Sequence, residues 1–263
     1  MTRAVLSDWE QFRVALAAQV QSYFRTYRFW VIFGIVVLIG GGISIALTIK
    51  GAGWVQTSFG MTATNYTGGV IGFMPILAIV AAAFFGGDAI SADFGSKTGY
   101  FMLALPIRRS VLLSGRYAAA FLTSVFSFAI FYLFAIYGGL AFYSFGSVPW
   151  WSLGLSFLLG ALMIAGFLSF AFCLSSTSRS PAIGFVVTFL VLLVAFQIAS
   201  GLIVGFLPGY QFFLIYPFAS KNVANVITGP SSAFVFWQAV SIMAIWAASF
   251  FAIALTLYHR EET

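Results

Sequence analysis

The chain has 263 residues, 62% of them hydrophobic and 7% charged, with a mean hydropathy of +1.04 and a formal net charge of +6. Soluble domains carry roughly 25% charged residues, so this composition excludes an ordinary water-soluble globule and indicates an all-α polytopic membrane protein. It also speaks against a nucleic-acid surface, because the basic residues flank apolar runs instead of gathering on one soluble face.

Residues 1–28 form the first unit. Trp9, Phe12, Leu16, Val20, Tyr23 and Tyr27 recur at steps of three and four, with Glu10, Arg13, Gln21 and Arg25 on other faces. That spacing predicts an amphipathic helix, and Ser7 followed by Glu10 fits a capping box at its start. Such a helix suits the membrane interface, with aromatic rings at head-group depth and arginines toward anionic lipid; the plainer alternative is a juxtamembrane anchor. The segment lacks the compact apolar core of a cleaved signal peptide, so the N-terminus is expected to be retained.

Residues 29–263 form a six-span transmembrane domain. A hydrocarbon core of about 30 Å takes about twenty apolar residues as helix. The expected spans are Phe29 to Ile49, Gly69 to Gly87, Arg116 to Leu140, Trp151 to Leu174, Pro181 to Leu207 and Phe234 to Tyr258. Arg3, Arg13, Arg25, Arg28, Lys97, Arg108, Arg109, Arg116, Arg179 and Arg260 fall on one side of these spans, against Lys50 and Lys221 on the other. The positive-inside rule then puts both termini in the cytoplasm of a cell (plasma) membrane protein. On this arrangement Asn65-Tyr66-Thr67 is a glycosylation sequon on the outer face. No expected span has an ionisable residue near its middle. Carriers that run on ion gradients usually place such groups within the membrane, so the energy for any transport is expected from outside the bilayer. Cys173 is the single cysteine and His259 the single histidine. An intrachain disulfide, a thiolate metal cluster and a bis-histidine haem within one chain are therefore ruled out.

The loop at 88–115, between spans two and three, gathers Asp93, Lys97, Arg108 and Arg109 between two apolar runs, with Arg116 just beyond it. Ser96 to Leu105 suits a short helix with Tyr100, Leu103 and Ala104 on one face, ended by Pro106, which cannot donate the next backbone bond. Read by itself, this is a positive-inside loop. Its spacing also resembles the cytoplasmic loop of the type-2 ABC transporter permeases. There an acidic residue, Gly-Thr, a hydrophobic stretch, Pro-x-x-Arg and Gly-Lys follow in order. Here Asp93, Thr98, Leu103, Pro106 with Arg109, and Gly115-Arg116 occupy those places, with Lys97 where the family has glycine.

The resemblance implies a coupling helix that docks on a separate ABC ATPase subunit, through Asp93, Lys97, Thr98, Tyr100, Leu103, Pro106, Arg109 and Arg116. It also implies a second permease chain, making a homodimeric exporter, with ATP and magnesium bound by the ATPase and no cofactor in this chain. No Walker A sequence occurs here, so ATP binding is expected in another polypeptide. Spans two and five line the path in that family. Phe73, Met74, Phe84, Phe196, Gln197 and Ser200 are the corresponding candidates here, an uncharged aromatic wall suited to an amphipathic cargo. Gly201 and Gly205 have the spacing of a close helix contact.

The outer segment 208–232 is too short to cross twice and too aromatic for a solvated loop. Re-entry into the outer leaflet is expected, with Pro208, Pro217 and Pro230 punctuating half-helices; an interfacial belt of Tyr210, Phe212, Phe213 and Tyr216 is the alternative. Two other functional classes remain open at this point. One is a self-sufficient channel or secondary carrier, the other a noncatalytic anchor or assembly subunit.

Overall fold

In a computed structural model of the chain, residues 7–51, 63–92, 108–142, 150–178, 180–206, 216–229 and 233–260 are described, and all their regular structure is helical. The elements are α1 (Asp8–Arg25), α2 (Arg28–Val36), α3 (Gly42–Lys50), α4 (Ala63–Ile71), α5 (Met74–Gly86), α6 (Arg109–Phe142), α7 (Trp150–Thr177), α8 (Pro181–Leu190), α9 (Phe196–Phe206), α10 (Tyr216–Thr228) and α11 (Ala233–Arg260). Six stretches are long and apolar enough to cross a membrane: Arg28–Lys50, Thr64–Gly86, Arg109–Leu140, Trp150–Thr177, Pro181–Ala199 and Val235–Tyr258.

The capping box forms as the Ser7–Glu10 spacing predicts. The Ser7 hydroxyl accepts the Glu10 amide at 3.3 Å, and the Glu10 carboxylate accepts the Ser7 amide at 2.9 Å. α1 ends where Thr26 donates its amide and hydroxyl to the Ser22 carbonyl, and Tyr27, at φ 34°, turns the chain into α2. The face that α1 turns to the protein shares Leu16, Val20 and Tyr23 with the aromatic stripe but is rotated from it at both ends. Gln11, Ala15 and Tyr23 are buried while Trp9 and Tyr27 are exposed, because α1 lies against the start of α6. Gly115 makes that contact possible: a Cβ there would stand 2.8 Å from the Ala15 Cβ and 3.2 Å from the Phe12 carbonyl oxygen.

Three spans are interrupted. Spans one and five each contain a π-helical turn, Val37–Gly41 and Val191–Ala195, and in the first Gly40 abuts the rings of Phe131 and Phe134. Span two breaks into α4 and α5 at Gly72 and Phe73, two residues before Pro75. Span three is a continuous helix that starts at Arg109, ahead of the expected Arg116.

α7 is the centre of the molecule, packed against spans two, three, five and six and against α10. Lipid offers no hydrophobic drive between apolar helices, so small residues and hydrogen bonds set such contacts. α7 supplies both. Gly160 abuts Met74, the Ala171 Cβ faces Gly86, and the Ser156 hydroxyl joins Tyr132 at 2.8 Å and donates to the Val223 carbonyl of α10. α10 is thus a short helix seated among α4, α7 and α11, with Pro217 in its first turn. Pro208 and Pro230, expected to bound it, lie outside the described residues, as do Tyr210, Phe212 and Phe213.

Candidate functional site

The charged loop joins two helix ends that the structure ties together. After α5 the chain makes a tight turn through Gly87, Asp88, Ala89 and Ile90. Arg28, the first residue of α2, grips this turn with a two-pronged ion pair to Asp88, at 2.7 Å and 2.5 Å, and reaches the Phe84 carbonyl at 3.5 Å. The Asp88 side chain is 10% exposed and that of Arg28 36%, so the pair is shielded from water mainly on the carboxylate side.

Beside it Tyr23 donates its hydroxyl to the Phe85 carbonyl at 2.9 Å, its ring tilted against Phe85. Burial pushes the Tyr23 phenol up to about 12, and the Asp88 carboxylate pushes in the same direction. Arg116, two turns into α6, donates to the Ala89 carbonyl at 3.1 Å and is buried. The Ile90 and Ser91 amides donate to Ser175 Oγ at the end of α7. The Gly87 turn also lies directly against Gly184 of α8.

The return end of the loop is held by α1. Arg108 pairs with Asp8 at 2.7 Å, and its backbone amide donates to Gln11 Oε1 at 3.2 Å. Residues 88–91 and 108–116, on either side of the charged segment, therefore form one base with α1, α2, α7 and α8. The two sides of this base are joined directly by the buried Arg116–Ala89 hydrogen bond.

Among the expected coupling residues, Asp93, Lys97, Thr98, Tyr100, Leu103 and Pro106 lie outside the described residues. Arg109 opens α6 half-buried, and Arg116 is enclosed in the base, where it braces Ala89 instead of facing outward. Of the path candidates, Phe73 and Gln197 are exposed. Met74 is enclosed, lodged against Gly160. Phe84 meets Phe185 edge-on at 4.9 Å, and Phe196 packs on Phe170 and Trp246, both at 5.4 Å. Ser200 belongs to α9. Of the sequon at Asn65, the threonine it needs, Thr67, is buried against Gly139.

Sequence reasoning missed the Arg28–Asp88 pair, Tyr23 as a hydrogen-bond donor, and Ser175. The first left a signal, an acidic residue at the end of one apolar span and an arginine at the start of another on the same side. Among the described residues no group of three or more His, Cys, Asp or Glu side chains is placed to hold a metal ion. Models of known protein families give no match to this sequence, and neither do curated proteins.

Proposed function

We propose that this chain is the membrane-spanning subunit of an ATP-driven ABC exporter in the plasma membrane, working as a homodimer with separate ABC ATPase subunits that bind ATP and magnesium. The observation that carries this reading is the spacing of Asp93, Thr98, Pro106, Arg109 and Gly115-Arg116 in the loop after the second span. The braced base supports it, because a loop whose feet are fixed to α1, α2, α7 and α8 can pass a push on its tip to four parts of the membrane domain at once. On this reading both termini and the loop are cytoplasmic, the segment 93–107 carries the coupling helix, and α10 is a gate over the outer end of the path.

Replacing Leu103 and Arg109 together with alanine is expected to reduce recovery of the ATPase with the purified chain by at least about tenfold, as losing an anchor and a charge contact does at protein interfaces. The unfolding midpoint of the membrane domain should stay in place. Recovery at the wild-type level would remove the coupling role. The broken second span favours one alternative, a carrier that needs no partner, since discontinuous helices commonly form carrier sites. Transport by the chain alone in liposomes, without ATPase, separates the two.

A further inference from the structure

The break in the second span strips hydrogen bonds from a backbone that lies within the membrane. Pro75 has no N–H, so the Ile71 carbonyl loses its helical donor, although Ile71 itself is enclosed by protein. The Phe73 amide bonds to the Val70 carbonyl at 3.1 Å, which leaves the Gly69 carbonyl without its donor as well. In the first turn of α5 the Leu77 amide bonds to the Phe73 carbonyl at 3.3 Å, while the Ile76 amide has no acceptor within its own helix. This is the middle of the stretch Thr64–Gly86, well away from either helix end. Gly69, Gly72, Phe73 and Ile76 are exposed on this side, and a Cβ at Gly69 would meet nothing within 4 Å. Freed backbone groups do not face hydrocarbon; interrupted helix survives at such depth only against protein or water.

Span five adds a polar group at the same level. Gly184 and Gly87 touch where the two helices cross, and Gln197 and Met74 stand equally many residues from that crossing in the same direction across the membrane. Gln197 is exposed.

We infer that the broken face of span two lines a hydrated cavity within the membrane, and that its freed Gly69 carbonyl holds a neutral head group that donates a hydrogen bond, such as an amide or hydroxyl on an apolar tail. The Ile76 amide donates to the oxygen of such a group, and the Phe73 and Ile76 side chains flank its tail. The hydration stands whichever protein supplies energy; calling the bound molecule a cargo rests on the transport reading above.

The test uses the full chain in liposomes with Cys173→Ala and a single new cysteine at Phe73→Cys or, should that variant fold poorly, Ile76→Cys. The control is Leu133→Cys. It is exposed on an unbroken stretch of α6 and lies as many residues from the Gly139–Thr67 contact as Phe73 does, hence at matching depth. The cysteine thiolate attacks the thio sulfur of a charged methanethiosulfonate, forming a mixed disulfide and expelling methanesulfinate, and both the ionised thiol and the charged reagent need water. Modification at 73 or 76 is expected to be at least about tenfold faster than at 133. Equal, slow modification at all three positions would overturn the hydrated cavity.

Dodecanamide is then compared with N,N-dimethyldodecanamide, which is also neutral but cannot donate. The donor is expected to slow modification at 73 about fivefold, the worth of one net hydrogen bond, and the dimethyl compound hardly at all. Equal protection by both would overturn the hydrogen-bonding site. No ATPase enters this experiment, so its failure and that of the exporter reading are separately visible.

Discussion

Tyr23 donates to the Phe85 carbonyl from a site where 1% of the residue is exposed, and its phenol, ordinarily near 10, is held at about 12 chiefly by burial. The sign follows from which state gives up the proton first. Below pH 10 both folded and unfolded chains keep it, and the stabilisation is complete; between 10 and 12 the unfolded chain ionises first, so stability falls as pH rises. Tyr23→Phe is expected to cost about 1 kcal/mol at pH 7, the net worth of the bond. By pH 11 the wild type should have lost about 1 kcal/mol of its advantage. Denaturant titrations in detergent at both pH values check this, and a difference that does not move with pH would contradict it. For the neighbouring ion pair, Arg28→Ala strands a carboxylate that is 10% exposed and is expected to cost about 2–3 kcal/mol, below the roughly 3–5 kcal/mol of fully buried pairs because Arg28 is partly solvated. Adding Asp88→Asn should recover part of that loss. If the double variant is the less stable of the two, the pair does not hold the turn.

The docking of α1 on α6 belongs to the scale of elements. Gly115 brings the two helices within contact distance, and the neighbours of an added Cβ include the Phe12 carbonyl oxygen, which cannot rotate away. Gly115→Val is therefore expected to push α1 off α6 at a cost of about 1–3 kcal/mol. It should also make α1 cleavable by trypsin at Arg13 or Arg25 while the spans remain intact. Protection equal to wild type would show that α1 is held by other contacts. Helix existence was legible for α1 and for each span, since the capping box and the apolar lengths are local signals. Boundaries were less so. Hydropathy drops at Arg108 and Arg109, which suggested a later start for span three, yet a helix does not stop at the lipid surface and α6 begins at Arg109. Pro75 lies inside an apolar run that reads as one continuous span from Gly69 to Gly87, and the π-helical turns at Val37–Gly41 and Val191–Ala195 have no counterpart in composition. The stripe from Trp9 to Tyr27 carried no sign that Gln11 is also buried, because its Oε1 accepts the Arg108 amide, a partner far away in sequence.

At the scale of the molecule, six spans could be counted from the sequence because a bilayer of about 30 Å imposes one length on every helix. Their arrangement could not, because contacts between apolar helices turn on residues such as Gly86, Gly160 and Ser156, which hydropathy does not distinguish from their neighbours. The site was half legible. Its charged loop stood out by composition, whereas the base that fixes it depends on Arg28, Tyr23 and Ser175 meeting from separate helices. The length of α6 has a mechanical consequence. Its 34 residues extend about 51 Å, and Tyr117 pins it to α7 through the Ala165 carbonyl and Ser169, about 12 Å from its foot and 37 Å from its head. A stiff rod turned about that point moves its head about three times as far as its foot, so any tilt of α6 beside the loop is felt most where Gly138 and Gly139 abut Tyr66 and Thr67 of α4.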